Sequence, residues 1–173
     1  MDRRSDTAAS SCDHQDGLTD KWSVHMNVQT TRFGTVEVEE ERLIHFPTGL
    51  LGFSSYKRFV LLQPNDDGIF FWLQSTEAPE LAFVVTDPSM WVSEYQATIR
   101  REQLDELALT KIEEAQVLVI VNKYEKALTA NLQGPLVINT VNRQAMQLVI
   151  ADRQWTTRHE IVCLEAPSQV ATA

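Results

Sequence analysis

The stretch from Leu128 to Ile150, LTANLQGPLVINTVNRQAMQLVI, constrains the fold of this chain more than any other segment. It holds three short extended runs divided by turn formers. Leu128 to Leu132 ends at Gly134-Pro135, Leu136 to Ile138 stops at Asn139, and Met146 to Ile150 returns after the turn-like segment from Thr140 to Ala145. Short runs of this kind, punctuated by Gly, Pro and Asn, are the pattern of a hairpin or meander. Such a segment makes a scaffold and by itself names no chemistry.

The same grammar recurs along the chain. Val24, Met26 and Val28 alternate with His25, Asn27 and Gln29, the period-two pattern of a half-buried strand. Gly34 marks a turn, and Val36 and Val38 alternate with Glu37 and Glu39 in the next strand. Glu39-Glu40-Glu41 reads as an acidic turn with Arg42 to Phe46 extending beyond it, a hairpin whose acidic tip lies in water. Phe59 to Gln63 and Ile69 to Gln74 are predicted strands joined through Pro64 to Gly68, where Asp67-Gly68 signals a tight hairpin because Gly supplies positive φ. Leu81 to Val85 reads as a strand buried on both faces, ending at Thr86-Asp87-Pro88, and Tyr95 to Ile99 as a further strand. Glu102 to Leu109 is the one helical pattern. Leu104, Leu107 and Ala108 form its apolar stripe, Glu102, Asp105 and Glu106 face water, and acidic residues suit its early turns. Gln116 to Tyr124 is a long strand, and Trp155 to Val162 is extended. About ten strands and one short helix, with no βαβ rhythm, exclude the doubly wound folds. They predict a mainly β protein: a small antiparallel β-barrel-like single domain over residues 23–163, closed or nearly so. Residues 1–22 carry almost no large apolar side chains and are predicted to be a disordered tail, with residues 164–173 a second flexible one.

Composition decides which functions are open. The chain has 173 residues and a formal charge of −9, and its only notable basic pair, Arg100-Arg101, runs into an acidic stretch. Nucleic-acid binding needs Lys and Arg clustered against phosphates, so no direct RNA or DNA contact is expected. An acidic surface suits solubility or a basic protein partner. No apolar run approaches the roughly 18 residues of a membrane span. The N-terminus lacks the apolar core of a secretory signal, and Cys12 and Cys163 make no disulfide framework, so a cytoplasmic setting is expected.

Catalytic signals are lacking. There is no G-x-S-x-G elbow, and Cys163 four residues from His159 is not a diagnostic spacing. The loop Phe46-Pro47-Thr48-Gly49-Leu50-Leu51-Gly52-Phe53 has paired glycines but no Lys and Ser or Thr after them, so it is a structural loop rather than a phosphate cradle. Asp66 and Asp67 lack the spaced oxygens of a calcium loop, and Cys12 with His14 lacks the second pair of a zinc site. No catalytic residue, cofactor or metal ligand is assigned. The scattered His25, His45 and His159 leave one alternative, a small-ligand-binding or hydrolytic β-barrel. Trp72, Leu73, Val84 and Ile138 read as scaffold. The candidate partner contacts are Glu39, Glu40 and Glu41, by charge, and the polar Gln74, Asn131, Asn139 and Gln147 at strand or turn positions, where a structural hydrogen bond is the other reading.

Taken in order, several motifs combine. Thr30-Thr31-Arg32-Phe33-Gly34 leads into the Val36 strand, then Phe46-Pro47-x-Gly49-Leu50-x-Gly52-Phe53, Trp72-Leu73-Gln74-Ser75, Leu81 to Val85 with Asp87-Pro88, and Asn131-Leu132-x-x-Pro135-Leu136-Val137-Ile138-Asn139. In this order and spacing the chain resembles the flagellar assembly factor FliW family, over about Val24 to Ile161. The resemblance implies a β-barrel-like protein without catalysis, monomeric when unbound, that works by partner exchange in the cytoplasm. It implies binding to flagellin and to the translational regulator CsrA. Export of flagellin would free the factor to bind CsrA away from its RNA surface and relieve repression of flagellin translation. A flagellin chaperone without CsrA regulation is the other reading it leaves open. Three positions depart from the family pattern: Leu51 where proline is usual, Gly134 where alanine is common, and Ala145 where glycine is usual.

Overall fold

The computed structural model describes residues 23–64 and 68–164. The expectations for the N-terminal tail with Cys12 and His14, for Asp66 and Asp67, and for all but the first residue of the C-terminal tail lie outside them. Eleven strands and one α-helix make up the described chain.

Strands β1 (His25–Thr30) and β2 (Gly34–Glu39) form a separate two-stranded hairpin, paired from Thr30–Gly34 at its turn to His25–Glu39 at its open end. The turn closes on Thr30, whose hydroxyl donates to Gly34 O at 3.0 Å and accepts the Phe33 N–H at 2.8 Å. Gly34 takes φ +68°, a region that glycine enters without steric penalty.

The main sheet contains nine strands. Strands β3 (Ile44–His45), β4 (Arg58–Leu62), β5 (Phe71–Ser75) and β6 (Ala82–Thr86) pair in succession, and β6 pairs with the ten-residue β7 (Ala115–Tyr124). The first half of β7 pairs with β9 (Leu136–Asn139), which pairs with β10 (Ala145–Gln147). Its second half pairs with β8 (Ala127–Ala130), which pairs with β11 (His159–Cys163). Every ladder between these strands is antiparallel. The sheet curls until its two ends meet, where His45 bridges Gln144 in parallel and its N–H donates to Arg143 O at 2.9 Å. The predicted barrel-like architecture is therefore present, joined along that seam by one bridge.

Side-chain alternation explains the curl. On β4, Phe59 and Leu61 face the interior; on β7, Leu118 and Ile120; on β9, Leu136 and Ile138. All pack with Ile44, Phe46, Leu50, Leu73 and Val85. The opposite faces are covered as well. The hairpin lays Val28 and Val38 over Val60 and Leu62, and the crossing between β6 and β7 lays Tyr95, Ala97 and Ile99 over Val117, Val119 and Val137. Each such side chain, fully buried, contributes roughly 1.5–3 kcal/mol. With both faces of β7 covered, its run reads as continuous rather than alternating apolar.

Four expectations need correction. The acidic residues do not tip a hairpin: Glu39 stands at the open end of β1–β2, Glu40–Arg42 is a short 3₁₀ turn, and β3 pairs with β4 rather than β2. Tyr95 to Ile99 is extended but pairs with no strand, and its period of two arises because alternate residues lie on the outer face of β7. The helix α1 spans only Arg101–Glu106. Ala108 enters the left-handed region at φ +50°, and the N–H groups of Ala108 and Leu109 return to Asp105 O and Leu104 O at 3.0 and 2.9 Å. That is a Schellman stop, which explains why Ala108 is exposed instead of continuing an apolar stripe. Strand β6 buries Val85 fully, while Ala82, Phe83 and Val84 are only half-buried. No helix among the described residues is long and apolar enough to cross a membrane.

Candidate functional site

The acidic run is held on a fixed backbone. The Glu40 N–H donates to Val24 O at 2.8 Å, and the Leu43 N–H closes the 3₁₀ turn on Glu40 O at 3.1 Å. Glu39, Glu40 and Glu41 are all exposed. Across from them stands the β9–β10 turn, and a groove of about 480 Å³ is bounded by residues 39–43 on one side and 140–143 on the other. Two segments remote in sequence therefore share one surface feature, brought together by the seam at His45 and Gln144. The acidic wall carries three carboxylates, Arg42 and Arg143 also line the groove, and Val141 is 73% exposed. Clustered carboxylates on a rigid turn create a local negative potential that attracts cationic groups.

Asn139 fixes the second wall from inside. Its Nδ2 donates to Leu107 O at 2.9 Å and Ala108 O at 3.2 Å, and its Oδ1 accepts the N–H groups of Val141 and Asn142 at 2.8 and 3.3 Å. One buried amide thus ties the helix stop to the turn. Arg143 takes φ +62° in that turn, donating its N–H to Asn139 O at 2.9 Å. The left-handed residue is therefore Arg143. Ala145 carries no such conformation and sits fully buried on β10, so the glycine usual at that position is not required for φ.

Gln74, too, works from inside. It is fully buried, and its Nε2 lies 3.0–3.3 Å from the carbonyls of Ser75, Ala78, Pro79 and Leu81, holding the β5–β6 connection. Gln74 and Asn139 expose essentially no surface. The Asn139 amide is bonded through both its nitrogen and its oxygen, whereas Gln74 is bonded through Nε2 alone and its buried Oε1 has no partner among the described residues. Both amides donate to backbone carbonyls of the scaffold.

Asn131 and Gln147 belong together at the other end of β10. Gln147 Nε2 donates to Gly134 O at 3.2 Å, its Oε1 accepts the Leu51 N–H at 2.9 Å, and Asn131 Oδ1 accepts the Gln133 N–H at 3.2 Å. A Cβ on Gly134 would come 2.8 Å from Asn131 Nδ2 and 3.1 Å from Gln147 Nε2, so the glycine leaves room for both amides. Leu51 supplies an N–H that proline lacks. The two departures at 51 and 134 are thus connected through one side chain, Gln147. In this cluster Gly134 is buried, Asn131 and Gln147 are half-buried and Leu51 is exposed; it lies at the opposite end of β10 from the acidic groove.

The histidines do not converge. His25 Nδ1 faces Glu37 at 3.7 Å, His45 Nδ1 faces Gln144 Oε1 at 3.2 Å, and His159 pairs with Ala130 in the β8–β11 ladder. No group of three or more His, Cys, Asp or Glu side chains among the described residues could hold a metal ion. Residues 140–143 and Arg42 escaped the sequence reading, because nothing in their local pattern announces a groove formed with a segment so far away.

The family model described as FliW protein matches residues 27–161. A flagellar assembly factor FliW from Geobacter sulfurreducens is 43% identical over 136 residues, covering 78% of this chain and 85% of that protein. One from Geotalea uraniireducens is 42% identical over 136 residues, covering 78% and 83%. Another, from Bdellovibrio bacteriovorus, is 40% identical over 138 residues, covering 79% of each. A crystal structure of the flagellar assembly factor FliW superposes with a TM-score of 0.73 at 30% identity, covering 82% of this chain and all of the other.

Proposed function

Because the chain belongs to the FliW family of flagellar assembly factors, we propose that it couples flagellin translation to export by non-catalytic protein–protein binding. In this reading the cytoplasmic protein, monomeric when unbound, holds flagellin. Once flagellin leaves, it binds CsrA and relieves repression of flagellin translation.

The observation that carries the reading is the rigid acidic wall. Three exposed carboxylates stand on a turn whose backbone is bonded at both ends, on a chain of net charge −9. A fixed negative patch repels nucleic acid and steers a basic protein partner, and it does so without ordering cost at the moment of encounter. Glu39, Glu40 and Glu41 are the direct contacts in this proposal. Asn139 acts through the turn it holds, Gln147 and Asn131 through the loop at Leu51, and Gln74 through the β5–β6 connection.

The test is a calorimetric titration of the purified protein against flagellin and CsrA from the same source at moderate salt. A complex of μM affinity gives measurable heat at roughly 10 μM protein. Absence of heat with both partners overturns the proposal. Flagellin binding with no effect on CsrA–RNA complexes would replace it by the chaperone reading.

A further inference from the structure

At the seam of the barrel, Ile44, Leu61 and Phe71 of the interior core line a hollow of 170 Å³, together with Arg42, Gln63 and Arg143. The apolar floor is continuous with the core, and Ile44 is only 1% exposed. Two guanidinium-bearing residues thus border an apolar mouth. Among the described residues neither guanidinium takes part in a hydrogen bond, ion pair or ring contact.

Both arginines are placed by fixed backbone. Arg42 ends the 3₁₀ turn, and Arg143 is bonded through its N–H to Asn139 O and through its carbonyl to His45 N–H, each at 2.9 Å. Arg42 also borders the acidic groove and the 310 Å³ cleft beneath the β1–β2 hairpin, so it stands where three hollows adjoin. A guanidinium fork matches a carboxylate in two parallel charge-assisted bonds. The hollow is smaller than the roughly 300–1,000 Å³ of drug-sized pockets and fits one compact apolar group. The neighbouring Glu39–Glu41 wall repels polyanions, which leaves a monoanion as the matching ligand.

We propose that this mouth is a binding site for a carboxylate carried on a short branched aliphatic group. The carboxylate lies between Arg42 and Arg143, and the alkyl part rests on Ile44, Leu61 and Phe71. The site adjoins the acidic groove, sharing Arg42 and Arg143 with it, and does not depend on the identity of any protein partner.

The probe is 4-methylvalerate, followed by NMR of the methyl groups of the isotope-labelled full chain. Saturable shifts at Ile44 and Leu61 are expected, with affinity weakened about tenfold by Arg42→Gln or by Arg143→Gln. The neutral 4-methylvaleramide should give no saturation, and inorganic phosphate should bind far more weakly. No saturable shift by about 10 mM 4-methylvalerate would overturn the assignment. So would equal binding by the amide, phosphate binding as tightly as the acid, or unchanged affinity in an Arg42→Gln protein whose spectrum shows it folded.

Discussion

Replacing Asn139 by alanine tests the internal support of the groove. The change removes two donated bonds, to Leu107 O and Ala108 O, and two accepted ones, from Val141 and Asn142. Not all four are lost outright. Leu107 O keeps the Asn142 Nδ2 at 3.1 Å, and Val141 and Asn142 are exposed enough for their amides to turn to water. Ala108 O loses its donor in a part-buried place, and a small void replaces a side chain that was 1% exposed. Together these should cost about 2–3 kcal/mol. For a protein of this size that is a fall of about 5–10 °C in Tm, read by calorimetry or circular dichroism. A loss below about 0.5 kcal/mol would refute the claim that this amide joins helix stop to turn. Asn139→Asp separates donor from acceptor. Ionised, it turns an anionic oxygen toward two carbonyls, so it should be less stable than the alanine variant at neutral pH. Burial and those carbonyls raise the folded carboxyl above its unfolded value of about 3.9, so the stabilisation from its protonated form is present at low pH and lost as pH rises through the raised value. The deficit relative to alanine should therefore shrink on acidification. A deficit constant between about pH 4 and 7 would contradict the donor argument.

Three further outcomes follow from the same geometry. Gly49→Ala puts a Cβ 2.7 Å from Ser54 Cα at φ +71°, whereas Gly52→Ala, at φ +82°, meets nothing within 4 Å. Urea denaturation should show a loss of about 1–2 kcal/mol for Gly52→Ala and more than about 3 kcal/mol for Gly49→Ala, and equal losses would contradict the close approach. Burial pushes the Tyr95 phenol from 10.0 up to about 12, and its hydroxyl donates to Leu132 O at 2.9 Å. Its folded value lies above its unfolded one, so its stabilisation is complete below pH 10.0 and lost as pH rises towards about 12. Tyr95→Phe should cost about 1 kcal/mol at neutral pH, with the gap to the wild type narrowing over that alkaline window. Exchanging Glu39, Glu40 and Glu41 together for Gln should slow association with a basic partner and flatten its salt dependence, measured by stopped flow; unchanged rates across salt would make the wall a merely solvated surface.

Much of the fold was legible because burial imposes a period. Met26 to Gln29 alternates since one face of the hairpin covers β4, although Val24, read as part of the same pattern, is exposed ahead of β1; β7 reads as a solid apolar run since both its faces are covered. The same rule misled at Tyr95 to Ile99, where an unpaired segment lying on a sheet shows the alternation of a strand. Strand pairing was less legible than strand existence. Nothing local to Glu39–Glu41 says that β2 leaves the main sheet, or that residues 140–143 stand opposite. The hydrogen-bond partners of Gln74 and Asn139 were hidden for a related reason. Asn139 bonds carbonyls 31 and 32 residues away, and a polar residue in an apolar run reads alike whether it faces a partner or an inner loop. Gln147 showed its purpose only once Leu51 and Gly134 were seen on either side of it.

Partner exchange is tested most directly by titrating CsrA into the protein alone and into the protein saturated with flagellin, by calorimetry at the same salt. The account predicts binding heat with the free protein at roughly 10 μM and strongly suppressed heat once flagellin is bound. Undiminished CsrA binding to the flagellin-loaded protein, or no binding to the free protein, would contradict it.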